Sequence, residues 1–282
     1  MRCLFLTALP ALSLLNCPAA SAAPSVERGE YLVTGPAACG NCHTATGRDG
    51  PDLSRLLGGG LVVDSPAFRA YAPNITPAAR IGGWSDAELA KAIREGVRPD
   101  GTLIGPPMPF AVYRGLSDDD LLSIVAYLRT VPEVEGQQPE SVYNIPLPPA
   151  YGPPVETVTH PVEGVSIEYG AYLAGPVSHC VECHSAPGPQ GAMIETHPFA
   201  GGFQFEGPWG LAVATNLTPH PEDGLADHSD AELKAMITQG IRPNGERMMP
   251  PMPYDYFAKM TDQDVDAVIL YLRSLQPLPS PE

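Results

Sequence analysis

One unit is written twice in this chain, and each copy carries the same five-residue signature. Cys39-Gly-Asn-Cys42-His43 recurs as Cys180-Val-Glu-Cys183-His184, 141 positions later. At that offset Ser25, Gly29, Tyr31 and Leu32 match Ser166, Gly170, Tyr172 and Leu173. Asn74-Ile75-Thr76-Pro77 matches Asn216-Leu217-Thr218-Pro219 at 142, and Ser85-Asp86-Ala87-Glu88-Leu89 matches Ser229-Asp230-Ala231-Glu232-Leu233 at 144. The last offset also relates Arg98-Pro99, Pro107-Met108-Pro109 and Tyr127-Leu128-Arg129 to Arg242-Pro243, Pro251-Met252-Pro253 and Tyr271-Leu272-Arg273. So many ordered matches mark an internal duplication, and any fold must satisfy the same pattern in both halves.

The duplication sets the expected organisation. Domains are expected over 23–135 and 166–282, joined by residues 136–165. That segment holds Pro139, Pro146, Pro148, Pro149, Pro153, Pro154 and Pro161, and proline at this density makes an extended, stiff connection expected to lie across both domains. Residues 1–22 read as a secretory signal: Arg2 is the positive end, residues 3–15 are apolar, and Ala20-Ser21-Ala22 is a small-residue cleavage site. The expected location is therefore the periplasm, with no transmembrane anchor in the mature chain.

Within each copy three helices can be placed. Ser25 and Ser166 are N-caps of a first helix. Ser85-x-x-Glu88 and Ser229-x-x-Glu232 are capping boxes of a second, with Gly96 and Gly240 as stops. Ser117 and Thr261 cap a third, whose apolar faces carry Leu121, Ile124, Val125 and Leu128, or Val265, Val268, Ile269 and Leu272. No stretch reads as a sheet, so the expected fold class is all-α. Gly29 and Gly170 fall inside the first helix at a cost of about 1 kcal/mol relative to alanine. A close crossing with Tyr127 or Leu128, and with Tyr271 or Leu272, would explain them.

The cysteines carry the chemistry. Cys3 and Cys17 belong to the signal, and the other four, Cys39, Cys42, Cys180 and Cys183, all sit in C-x-x-C-H. None is left for a disulfide or a catalytic thiol. Two thiols three positions apart on one helical turn can add to the two vinyl groups of one porphyrin. The histidine that follows, His43 or His184, then faces the iron as fifth ligand. A redox dithiol would not explain the histidine, and zinc would want four protein ligands from each copy. The expectation is two covalently bound haem c groups.

The sixth ligand follows by elimination in the first copy. Between His43 and His160 there is no other histidine or cysteine and one methionine, Met108, flanked by prolines that fix an extended backbone. The second copy also offers Met193, Met236, Met248, Met249 and Met260, but Met252 is the one that aligns with Met108. His/Met ligation saturates the iron and raises its potential, as an electron carrier needs. Asn74 and Asn216 could bond a haem propionate or form a plain Asx-turn, and Arg98 and Arg242 could neutralise a propionate or be solvated. The Pro51 carbonyl could orient the His43 ring. Net charge is −16, or −17 without the signal, which excludes nucleic acid and suits a basic docking face.

On these residues the chain resembles the cytochrome c subunit of bacterial alcohol, aldehyde and sugar-acid dehydrogenases. The resemblance lies in Cys39-x-x-Cys42-His43, Asn74-Ile75-Thr76-Pro77, Gly82-Gly83-Trp84-Ser85-Asp86, Pro107-Met108-Pro109, their second-copy partners, Met260-Thr261-Asp262 and Tyr271-Leu272-Arg273. It implies two tandem class I-like cytochrome c domains joined by a proline-rich linker. It also implies an electron-transfer protein, not itself an enzyme, that takes electrons from a periplasmic dehydrogenase and passes them to a respiratory acceptor. Such subunits carry three haem domains where this chain has two, and Trp84 has His228 as its counterpart. The alternative is a di-haem enzyme, a peroxidase or a thiosulfate-oxidising cytochrome. A peroxidase needs an open iron position, and a cysteine-ligated thiosulfate site has no cysteine left.

Overall fold

The computed structural model describes residues 23–281, apart from 48, 49, 79, 189, 190 and 208, so the expected signal over 1–22 lies outside the described residues. Each repeat contains the same five helices. In the first they are α1 (Val26–Thr34), α2 (Cys39–His43), α3 (Asp86–Glu95), α4 (Phe110–Tyr113) and α5 (Asp118–Leu128). In the second they are α6 (Ile167–Tyr172), α7 (Cys180–His184), α8 (Asp230–Gln239), α9 (Tyr254–Phe257) and α10 (Asp262–Ser274). α6 runs on into a single wide π turn over Leu173–Val177, which holds Pro176.

The caps act as their chemistry requires. Ser25 and Ser166 accept from the Arg28 and Tyr169 amides, and both capping boxes form in full. Gly96 and Gly240 end α3 and α8 at φ 69° and 63°, a left-handed conformation that glycine adopts without penalty. The helix crossings explain the two glycines inside first helices. A Cβ at Gly29 would collide with the Ser123 carbonyl oxygen and lie 2.7 Å from Tyr127 Cβ. A Cβ at Gly170 would collide with the Ala267 carbonyl oxygen and lie 2.8 Å from Tyr271 Cβ. The missing side chain thus lets α1 meet α5, and α6 meet α10, backbone to backbone. Tyrosine, not leucine, covers the contact.

The expectation of an all-α fold is overturned. Four small antiparallel sheets accompany the helices. Two are two-residue ribbons: β1 (Thr46–Gly47) with β2 (Gly50–Pro51), and β6 (Pro187–Gly188) with β7 (Gly191–Ala192). The others are hairpins, β3 (Gly60–Asp64) with β4 (Phe68–Ala72), and β8 (Gln204–Gly207) with β9 (Gly210–Val213). Leu61-Val62-Val63 and Phe68 to Tyr71 have the β-branched and aromatic content of strands. Runs of four or five residues are too short for a two-residue period to stand out from loop.

Residues 136–165 contain no helix, as expected of their prolines, but they do not lie evenly across both repeats. β5 (Val142–Tyr143) pairs with β4 and makes its sheet three-stranded. Further on, Tyr151 packs on Phe110 with ring centroids 4.9 Å apart and bonds the Ile104 carbonyl at 2.8 Å. Most of the segment is thus a strap along the first repeat.

The two repeats share one continuous apolar core, which includes Leu32, Val125 and Leu128 from the first and Leu173, Val265 and Leu272 from the second. Their polar seam is built by exchange of equivalent groups. The Tyr172 hydroxyl donates to Asp120 at 2.7 Å and accepts from the Ser117 amide at 3.2 Å. Reciprocally, the Tyr31 hydroxyl donates to Asp264 and accepts from the Thr261 amide at 3.2 Å. Tyr31 and Tyr172 are repeat counterparts, as are Asp120 and Asp264, so the contact is a pseudo-two-fold one within a single chain.

Candidate functional site

Both C-x-x-C-H segments form single helical turns, α2 and α7, entered through a left-handed residue, Ala38 at φ 47° and His179 at φ 42°. That kink separates each attachment turn from the helix before it. All four cysteines are free. Burial pushes the Cys39 and Cys180 thiols, both half-buried, up to about 12. A redox dithiol needs a thiol lowered towards neutrality, so these two have the wrong electrostatics for exchange chemistry. Among the described residues no group of three or more His, Cys, Asp or Glu side chains is arranged to hold a metal ion.

The histidines are held alike. His43 Nδ1 lies 2.8 Å from the Pro73 carbonyl oxygen, and His184 Nδ1 lies 2.8 Å from the Thr215 carbonyl oxygen. A carbonyl only accepts, so Nδ1 carries the proton and Nε2 keeps its lone pair. Burial lowers both imidazoles, against a smaller opposing effect of the carbonyl bonds, and so favours the neutral ring that a metal ligand requires. The expectation that Pro51 orients His43 is corrected here: the acceptor is Pro73, and its repeat counterpart is Thr215. The signal was present, because both residues immediately precede the matched asparagines, but the pairing spans 30 residues and no local rule links them.

The remaining sequence candidates sort themselves by contact. Asn74, buried, accepts from the Thr76 amide and hydroxyl at 2.9 and 2.8 Å, and donates to the Val134 and Gly136 carbonyls at 2.6 and 2.9 Å. Asn216 does the same with Thr218 and Leu278. These are Asx-turns that tie the segment after the last helix to the loop beside the histidine, and both amide protons of Asn74 are used internally. Arg98 bonds the Leu103 carbonyl and the Thr102 hydroxyl in its own loop. Met108 is half-buried and packs against the core, in a loop that also contains the cis bond Pro106–Pro107; the counterpart bond next to Met252 is Pro250–Pro251. Met236 and Met260 pack on the core.

The two attachment turns face the same seam. Tyr256 of α9 reaches across to Gly40 between Cys39 and Cys42, where its hydroxyl occupies the space a Cβ would need. Tyr113 of α4 meets His179 edge to face at 5.8 Å, just before Cys180. Burial, and after it the nearby Glu182 carboxylate, raise the Cys42 and Cys183 thiols above the ordinary thiol value. Sequence reasoning missed Tyr113 and Tyr256, since neither is a repeat match of the other.

The donor set fits covalent haem: paired free thiols on one turn, a neutral histidine with Nε2 available, and a methionine in a matched loop. The cytochrome c family model matches residues 26–132 and 167–276, that is, both repeats. The fructose dehydrogenase cytochrome subunit of Gluconobacter japonicus is 30% identical over 92% of this chain and 54% of its own length. The cytochrome c subunit of a quinone alcohol dehydrogenase from Gluconobacter oxydans is 27% identical over 90% of this chain and 55% of its own. A diheme cytochrome c-type protein of Cereibacter sphaeroides is 27% identical over 83% and 81%. The chain thus spans about half the length of the two dehydrogenase subunits.

Proposed function

Because the chain belongs to the cytochrome c family, we propose that it is an exported electron carrier, subunit or acceptor of a periplasmic dehydrogenase, working through two covalent haems. It is an electron-transfer protein of the haem c class and not itself an enzyme. Haem c supplies a one-electron centre whose potential is set by its axial ligands and surroundings. In our reading Cys39 and Cys42 hold one group and Cys180 and Cys183 the other. His43 and Met108 ligate the first iron; His184 and Met252 ligate the second. The domains would span 23–135 and 166–282, after a signal over 1–22 and around a linker over 136–165.

The observation that carries the reading is the matched histidine geometry, with Nδ1 of each ring bonded to the equivalent carbonyl at 2.8 Å. Twice over, it orients a neutral imidazole beside a free thiol pair. Placement of both attachment turns beside one seam, with Tyr113 and Tyr256 reaching across it, favours passage of an electron between the two halves. No helix among the described residues is long and apolar enough to cross a membrane. The acidic surface favours a donor or respiratory acceptor with a basic docking face.

Methionine replacement in the purified holoprotein tests the ligand set. M108A and M252A should each retain two covalent haems by mass and remove half of the weak sulfur-to-iron absorption in the near infrared. Each should lower one potential by some tenths of a volt and leave the other. A native protein that binds carbon monoxide at one haem, or an M252A variant with unchanged absorption, would return the assignment to the di-haem enzyme alternative.

A further inference from the structure

The strap leaves one repeat covered and its twin bare. On the first repeat Ser141 Oγ accepts from the Tyr71 amide at 2.9 Å, Val142 and Tyr143 pair with Arg69 and Phe68, and the Asn144 amide donates to Ala67 at 2.9 Å. The Tyr143 ring then closes over Gly105 and its hydroxyl bonds the Pro106 carbonyl at 2.8 Å. On the second repeat, β9 is the counterpart of β4, and among the described residues no strand pairs with its outer edge. Leu211 and Val213 stand where Arg69 and Tyr71 stand. Ladder alternation turns their amides outward, because the Ala214 amide already bonds inward to Phe203 at 2.8 Å. The side chains beside that edge are apolar and open: Leu211 is 49% exposed, Val213 53% and Trp209 38%, while Met249, the counterpart of the buried Gly105, is 42% exposed.

An open, apolar edge strand is a template for another chain unless something covers it. The first repeat shows what kind of segment the fold accepts there: an extended run with a small hydroxyl residue, then an apolar and an aromatic residue, antiparallel to the edge. The charge at the rim then selects between occupants. Glu140, just before Ser141, pairs with Arg80 at 2.8 Å. The corresponding turn of the second repeat carries the exposed Glu222 where Arg80 stands, while the neighbouring Asp223 is held by His220 at 3.6 Å and by the Ser280 amide at 3.0 Å. Residues 166–282 hold 15 carboxylates against five basic side chains, whereas residues 23–135 hold 14 against ten.

We infer that the outer edge of β9 is a strand-addition site for a partner polypeptide, whose docking segment is extended, carries a basic residue where the strap has Glu140, and follows it with a small polar, an apolar and an aromatic residue. Backbone bonds to Leu211 and Val213 give the affinity. The basic residue opposite Glu222 gives the preference over the chain's own strap sequence. The inference rests on the strand edge and holds whichever way electrons move.

The probe is a synthetic peptide copying residues 137–145 with Glu140→Lys, added to the full holoprotein while amide hydrogen exchange is followed. At ten times its Kd the peptide should slow exchange at Leu211 and Val213 about tenfold. The same peptide with Glu at that position should bind about fivefold more weakly, and the difference should shrink with added salt. A version N-methylated at the residues matching Val142 and Asn144 cannot bond the edge, and should give no protection. Equal protection by the N-methylated peptide, or no protection at Leu211 and Val213 from any of them, would overturn the site. Protection that rises with protein concentration in the free protein would give the edge to a second copy and overturn the partner.

Discussion

The two repeats are alike inside and unlike outside. In each, the first helix crosses the last over a glycine, a carbonyl beside an Asx-turn pins the ligand-type histidine, and a capping box starts the middle helix. On the outside, among the described residues, only the first repeat has a strap over its sheet edge, and the second has fewer basic side chains to offset its carboxylates. Duplication preserved what the core geometry demands, because a packed interior tolerates little change of volume or hydrogen bonding. Surfaces were free to diverge, and there the halves acquired different surroundings.

The sharpest way to break the likeness is at the helix crossings. G29A and G170A each place a methyl group into a backbone carbonyl, where helix propensity would otherwise favour alanine. Each should destabilise the protein by about 3 kcal/mol and lower Tm by roughly 10 °C, read from haem absorbance and circular dichroism. Two equal losses would confirm equal crossings. A silent G170A would mean that the second repeat can open its helix pair.

The seam should respond less, and unequally. Tyr172 is buried and serves Asp120 and the Ser117 amide together, whereas Tyr31 sits at the more open edge. Y172F should cost about 2 kcal/mol and Y31F about 1 kcal/mol in denaturant unfolding. Equal costs would argue against the asymmetry.

The smallest effect is a pH dependence that arises where the strap meets the first repeat. Asp120, buried at the seam, takes bonds from Arg28 at 2.8 and 3.0 Å, from Tyr172 at 2.7 Å, and pairs with His160 of the strap at 3.3 Å. His160 is also faced by Glu163 and by the rings of Tyr169 and Tyr172, and its Nδ1 meets the Pro161 carbonyl at 2.6 Å. Both ring nitrogens thus face acceptors, while the Arg28 guanidinium, 3.5 Å from Nε2, opposes the charged ring. Burial alone would raise the Asp120 carboxyl, but the bonds from His160 and Arg28 outweigh it and hold the group well below the usual carboxylate range. The Asp120 bond raises His160 above its ordinary value of 6.5. A raised folded value means that the stabilisation is complete below about pH 6.5 and is lost as pH rises through the shifted value. Unfolding free energy should therefore fall over that alkaline limb in the native protein and stay flatter in H160Q. Among the described residues no histidine pairs with Asp264, so a slope that survives H160Q would have to come from elsewhere.

Much of this was written locally. Caps, capping boxes, glycine stops and the attachment turns depend on residues within four positions of each other, and the repeat doubled every such signal. The hairpins were not legible, since each strand is shorter than the window in which a two-residue period becomes visible. Nor was the acceptor of His43, because a main-chain carbonyl leaves no trace in residue type: Pro73 and Thr215 share a position and not a side chain. Which of its two readings Asn74 takes, propionate donor or Asx-turn, was not legible for a related reason. Its four hydrogen bonds go to Thr76, Val134 and Gly136, and two of those partners are carbonyls about 60 residues away.

By itself, the sequence determined that there are two copies of one helical unit, where their helices start and stop, and that four thiols and two histidines are paired for the same chemistry. These depend on short-range sterics, on hydrogen-bond inventory and on counting. Only the tertiary structure decided that the copies bury one core behind a reciprocal Tyr–Asp seam. It alone decided that Tyr113 and Tyr256 close over the opposite attachment turns, and that the proline-rich strap spends itself on the first sheet. Those outcomes depend on which surfaces meet, and contacts between segments far apart in the chain are set by the shape and charge of whole faces, which no local pattern encodes.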